Sequence, residues 1–206
     1  MKRIKTSICL LAGLIIMACG QNKSETQTTT ETTIESPVKP ADNAKNFDIA
    51  ALLEAAQNGN LEAISYALGQ GFDPNTSGEE NRTTLMLAAF NGHTSVVKAL
   101  LDSGATVDLR DTTDRTALMY GCTGPFASTV KLLVESGAQV NLKDNHEQWT
   151  PIMFAAGEGQ IEVMKILLDA GADVNAVDVD GESSYDFAMS NKHMEAAAFL
   201  KPLMKS

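Results

Sequence analysis

Residues 150–178 read TPIMFAAGEGQIEVMKILLDAGADVNAVD, and this stretch decides the fold. Thr150 is a residue type that caps helix N-termini. Pro151 follows at the first helical position, where its missing N–H costs nothing. The apolar run predicts a short helix over 152–156, broken at Gly159. Ile161, Met164, Ile166, Leu167 and Leu168 recur at helical spacing and predict a second helix. Gly171 then ends that helix, because glycine takes the left-handed cap conformation without a Cβ clash. Ala172-Asp173-Val174-Asn175 turns the chain outward.

The unit repeats. Gly71, Gly104, Gly137 and Gly171 are 33, 33 and 34 residues apart, each closing a helix. The helix-opening Thr83, Thr116, Thr150 and Ser183 are 33, 34 and 33 apart. A fixed period of this length means stacked supersecondary units, none of which buries its apolar face alone. The openings TTLM, TALM and TPIM, the mid-unit glycines and the closings of LLxxGAxVN type together resemble the ankyrin repeat. The resemblance covers 46–201. It implies an all-α solenoid of about five helix-turn-helix units with outward β-turn fingers, over 46–77, 78–110, 111–143, 144–177 and 178–206.

The end units depart from the pattern. Ala50 stands where an interior unit would open with threonine, as expected of an N-terminal cap. The fifth unit, with Lys192, His193, Glu195 and Lys201 on its second helix, reads as the C-terminal cap. Pro125 is expected to open the second helix of the third unit. Asn81 and Asp114 sit where the family prefers glycine, and both types tolerate a left-handed backbone. The fourth unit carries one extra residue among 144–149. Met86, Met119 and Met153 replace the family's histidine in three successive units. They read as packing between stacked turns, with an adaptable methionine surface as the alternative.

Composition narrows the function. The chain has 206 residues, 5% aromatic content and a net charge of −10. The first 18 residues hold Lys2, Arg3, Lys5 and no acid, so the remainder carries −13. That balance argues against phosphate-neutralising contacts with nucleic acid. Cys9, Cys19 and Cys122 provide no disulfide framework for the repeats.

The N-terminus reads as an address. A basic start precedes an eleven-residue apolar run over 8–18, too short to span a bilayer as a helix. It suits the apolar region of a secretory signal. Ile16-Met17-Ala18-Cys19 resembles the bacterial lipobox, which implies a signal peptide over 1–18, cleavage before Cys19 and lipidation of that residue. Several acyl chains give stable anchoring where one gives only marginal binding. Gly20, rather than an aspartate, follows the cysteine. By analogy with enterobacterial sorting, the expected location is the outer membrane of the cell envelope, facing the periplasm. The Thr/Glu-rich stretch after it, within 19–45, has too few apolar residues to build a core and reads as a tether with a reach of about 25–30 Å.

No catalytic constellation stands out, and the expectation is a non-enzymatic protein with no cofactor, metal or small-molecule substrate. His93, His146 and His193 lie at different offsets, and no His/Cys/Asp group has metal-ligand spacing. His93 reads as structural. Cys122 reads as a packed thiol, with a redox factor as the less favoured alternative. What remains is a binding surface for a protein partner. In ankyrin proteins, contacts come from the finger tips and the exposed side of each first helix. Carried over by position, this implies Glu79, Glu80, Arg82, Arg110, Thr112, Thr113, Arg115, Lys143, His146, Glu147 and Trp149 on the fingers. It implies Phe90, Asn91, Thr123 and Glu158 on the helices. Arg82, Arg115 and Trp149 share one offset and are expected to form an outward row, rich in the types that dominate interface energetics. An Arg115–Trp149 stack is the alternative. Resemblance to bacterial periplasmic ankyrin proteins implies either an accessory to an oxidative-stress enzyme such as catalase or an immunity protein against a secreted toxin.

Overall fold

A computed structural model of the chain describes residues 47–204. The expected signal peptide, Cys19 and the whole 19–45 tether lie outside the described residues. Ten α-helices follow in pairs: α1 Ile49–Gln57 and α2 Leu61–Gly69, α3 Thr84–Phe90 and α4 Thr94–Asp102, α5 Ala117–Gly121 and α6 Ala127–Glu135, α7 Pro151–Gly157 and α8 Ile161–Asp169, α9 Ser184–Ser190 and α10 Met194–Leu200. First helices stack on first helices (α1 on α3, α3 on α5, α7 on α9), and second helices α2, α4, α6 and α8 form the neighbouring layer. Among the described residues no helix is long and apolar enough to cross a membrane.

The core lies between the layers. Leu100, Leu118, Leu133, Met164, Leu167 and Leu200 are fully buried, each from a different helix except the α8 pair. Burying a leucine contributes about 1.5–3 kcal/mol relative to exposure, so each unit gains stability only when its neighbours cover it. The methionine column belongs to this interior: Met86, Met119 and Met153 are at most 1% exposed.

The helix starts follow the capping logic, with instructive departures. Thr83 and Thr116 accept from the N–H of Met86 and Met119 at 3.3 and 3.4 Å. The backbone N–H of Thr83 returns a bond to the Met86 sulfur at 3.5 Å. Methionine thus supplies a weak acceptor where glutamate would close a capping box. Ser183 has a stronger version, giving its N–H and hydroxyl to Asp186 Oδ2 at 2.9 and 2.6 Å. Thr150 occupies the cap position of α7, but its buried hydroxyl has no hydrogen-bond partner. In the first unit the cap is Asp48, which accepts from Ala51 N–H at 3.1 Å. α1 therefore starts earlier than the offset of Ala50 suggested.

Pro125 does not open α6. Phe126 is the N-cap and Ala127 the first helical residue, while α5 shortens to five residues before the Gly124-Pro125 turn. In three units the residue after the inter-helix break seats the unit on the preceding one. His93 lies over Gly59, where an added Cβ would come within 2.5 Å of its Nδ1, and its Nε2 bonds the Gln57 carbonyl at 2.9 Å. Gly59 has φ +69°, so a side chain there would be strained as well as crowded. Phe126 and His193 cover Gly92 and Gly159 in the same way.

The GAxVN closings have a defined task. Asn75 donates to the Gly104 carbonyl at 3.2 Å and accepts from Thr106 N–H at 2.7 Å. Asn141 repeats the pattern one unit pair later, on the Gly171 carbonyl and the Asp173 N–H. These amides satisfy backbone groups exposed where a helix ends and the chain turns outward.

At the C-terminal end Lys192, Glu195 and Lys201 are exposed, as expected of a cap, and apolar side chains are exposed beside them. Among the described residues, five of the eight exposed large apolar side chains lie from position 177 onward: Val177, Val179, Met189, Met194 and Leu203.

Candidate binding face

The fingers are built by a recurring aspartate. Asp111 Oδ1 accepts from the N–H groups of Thr113 and Arg115 at 2.8 and 2.9 Å. Asp144 Oδ1 accepts from Glu147 and Trp149 N–H, and Asp178 Oδ1 from Asp180 and Glu182 N–H. All three carboxylates are buried, and each satisfies the inward-pointing donors of its turn. The turn closes from Asp111 N–H to the Arg115 carbonyl and from Asp178 N–H to the Glu182 carbonyl. In the fourth unit it closes from Asp144 to Trp149, one residue further, which locates the insertion. Asn81, Asp114 and Gln148 take φ of +57°, +58° and +62° at the shared left-handed position. Glu80 joins them at +56° in the first finger alone.

Adjacent fingers are tied through the backbone. Thr112 N–H donates to the Glu80 carbonyl, Asn145 N–H to Thr113 and Val179 N–H to Glu147, at 3.0–3.1 Å. Four separate turns therefore make one continuous strip beside the first helices.

The expected outward row turns inward instead. Arg82 lies in hydrogen-bonding contact with the Tyr120 hydroxyl of the next unit, which donates to Asp111 Oδ2 at 2.6 Å. Arg115 lies over the Phe154 ring at 5.1 Å and approaches Asp144 at 3.4 Å, so it stacks on Phe154 rather than on Trp149. Trp149 meets Phe154 and Phe187 edge-on, with ring centroids at 5.3 and 5.0 Å. Its indole N–H donates to Asp178 Oδ2 at 3.2 Å. Each side chain of the row meets the first-helix aromatic of the following unit, and Arg115 and Trp149 also reach its finger aspartate. The expectation of an exposed Trp149 is corrected: it is 8% exposed and serves its own fold. The reason is the shared offset itself, which places the residue over the next unit's helix, where Phe187 and Asp178 complete a pocket for an indole.

The other expected residues fall into two groups. Phe90 stays on the surface, 38% exposed, with its ring edge-on to Tyr120 at 5.9 Å. Asn91 caps α3 by donating to the Leu87 carbonyl, and the half-buried Glu158 caps α7. Thr113 gives its hydroxyl to Asp111. Arg110 pairs with Asp114 at 3.6 Å, Arg82 with Glu80 at 2.6 Å, and His146 with Glu147 at 3.3 Å. Lys143 donates to the Val177 carbonyl. Glu79, Glu80 and Thr112 are exposed at the tips. Fingers one and two, with Phe90 and Tyr120, therefore form one surface, and Trp149 leaves it.

Sequence reasoning missed Tyr120 and the finger aspartates. Both have a periodic signal: Tyr120, Phe154 and Phe187 keep the repeat spacing, as do Asp111, Asp144 and Asp178. The Tyr120–Asp111 pair is electrostatically distinctive. Burial and the Asp111 carboxylate push the Tyr120 hydroxyl up to about 12. For Asp111, burial acts upward but is outweighed by hydrogen bonds from Tyr120, Thr113 and Arg115, and its pKa is lowered. Cys122 is fully buried, and burial pushes its thiol far above the ordinary range, holding it neutral and out of reach. Among the described residues no group of three or more His, Cys, Asp or Glu is placed to hold a metal ion.

A comparison with curated proteins found no match. A family model described as ankyrin repeats in three copies matches residues 52–144 and 127–204. Ankyrin arrays act as protein–protein interaction modules, and the stacked helix pairs, the bonded fingers and that match agree: the chain belongs to the ankyrin-repeat family.

Proposed function

We propose that this protein is a non-enzymatic binding module, tethered to the bacterial envelope through lipidated Cys19, that holds a periplasmic protein on its concave finger-and-first-helix face. The observation that carries the reading is Phe90. It is a large apolar side chain left on the first-helix surface, beside Tyr120 and next to fingers already bonded into one strip. An exposed aromatic on a rigid scaffold contributes contact area at low entropic cost, which is how interface anchors work. The tether reading is supported by the basic start, the short apolar run and Ile16-Met17-Ala18-Cys19.

Two measurements test the halves separately. Cys19→Ser is expected to release the protein from the membrane fraction with its thermal melt unchanged. Membrane association that survives both the substitution and high salt would overturn the anchor. Phe90→Ala is expected to weaken recovery of the crosslinked partner complex from intact cells, while Tyr66→Ala, on the exposed α2 surface, leaves it unchanged. Equal effects of the two would overturn the assignment of the face.

A further inference from the structure

The polar groups around the Phe90 surface are unequal in sign. The four finger turns, over 78–83, 111–116, 144–150 and 178–183, contain nine acidic residues and two arginines, a formal charge of −7. Three of those acids, Asp111, Asp144 and Asp178, are buried turn organisers. The remaining six, Glu79, Glu80, Asp114, Glu147, Asp180 and Glu182, lie on the turns themselves. The cations nearby are committed within the chain: Arg82 to Glu80, Arg115 to Asp144 and Arg110 to Asp114. The strip is therefore acidic overall, and Arg82 and Arg110, though partly exposed, are each already paired with an acid of the same finger.

Resting on the binding face proposed above, we infer that the partner presents a lysine- or arginine-bearing protein segment, whose aliphatic stems cover Phe90 and Tyr120 while its cations meet Glu79, Glu80 and the neighbouring finger acids. The chemistry fits both parts of the surface. Long basic side chains lay their methylene stems on apolar surface and keep the charged head in a polar rim. An arginine over an aromatic face adds cation–π attraction. An acidic segment would instead meet like charge along the strip, which is strongly unfavourable and suppresses wrong partners. The same field would speed encounter with a basic partner and weaken as salt rises.

The experiment uses the full lipidated chain in the cells that produce it. A photo-crosslinking amino acid replaces Phe90 in one variant and Tyr66, on the exposed α2 surface, in another, and the crosslinked peptides are sequenced. The expected result is a crosslink from position 90 to a segment of net positive charge. Its yield should fall by about fivefold or more on Glu79→Lys with Glu80→Lys, as for charge reversal at a complementary interface. Both glutamates are exposed, and an unchanged melting curve verifies that the double variant folds. A crosslink from position 90 to a neutral or acidic segment, unaffected by the reversal, overturns the basic partner while leaving the face intact. Crosslinks from position 66 alone, or from neither position, overturn the face itself and the inference with it.

Discussion

The junction between the second and third units and the junction between the fourth and fifth use one repeat offset for opposite ends. At the first, Arg82 reaches Tyr120 but keeps its side chain 43% exposed and pairs with Glu80 at the surface. At the second, Trp149 is 8% exposed, wedged between Phe154 and Phe187 and bonded to Asp178. Arg115 stands between them, its side chain 29% exposed over Phe154. A repeat position fixes where a side chain starts. Whether it ends in solvent depends on what the next unit offers, a hydroxyl at Tyr120 or an aromatic wall at Phe187. The same periodic device leaves a wet, charged surface near the start of the array and a dry joint near its end.

The largest consequence should follow from breaking the dry joint. Trp149→Ala is expected to destabilise the fold by about 3–5 kcal/mol, the range for truncating a buried aromatic, measured by chemical denaturation. Trp149→Phe should recover most of that loss, since it keeps the ring contacts and gives up chiefly the bond to Asp178. A loss below about 0.5 kcal/mol for the alanine variant, typical of surface sites, would make the two junctions alike.

The wet junction should be distinguishable by pH. Tyr120 has its pKa raised from 10.0 to about 12 in the fold. A raised pKa means that its contribution is fully present below pH 10 and is lost as pH climbs through 12. Asp111 shifts the other way, so its contribution is present above the ordinary carboxylate value of 3.8 and lost as pH falls through its lower folded value. Stability measured against pH should therefore decline at both limbs, and Tyr120→Phe should flatten the alkaline one. An unchanged alkaline limb would detach Tyr120 from the junction.

The smallest effect is expected at Arg82. Its pairing with Glu80 is exposed on both sides, and such pairs contribute about 0–1 kcal/mol. Arg82→Ala should cost no more than about 1 kcal/mol, with a correspondingly small change in melting temperature. A loss matching that of Trp149→Ala would show that the row stitches all its junctions equally.

Much of this architecture was legible from spacing. The glycine and threonine periods placed the helix pairs, because caps and breaks are local chemistry that a sequence states directly. The left-handed Asn81 and Asp114 and the inserted residue of the fourth finger followed from the same alignment of units. The fate of Arg82, Arg115 and Trp149 was not legible. Burial there depends on side chains 38 or 39 residues away, Tyr120, Phe154 and Phe187, and on carboxylates whose role is to fold their own turns. The α5–α6 turn was misread for a local reason: Pro125 fits a first helical position, but Phe126 took the cap while its ring covered Gly92. In the last unit the exposed Lys192, Glu195 and Lys201 were legible, whereas the exposure of Met189 and Met194 was not, because it depends on what packs against α9 and α10.

Whether the offset row is spent inside the fold can be read from the single tryptophan of the chain. Steady-state fluorescence of the isolated protein, with acrylamide titration, is the direct measurement. The buried Trp149 should give blue-shifted emission and weak quenching that become red-shifted and strong on unfolding. Emission at the wavelength of free indole in water, readily quenched in the folded protein, would contradict that burial and return Trp149 to the binding face.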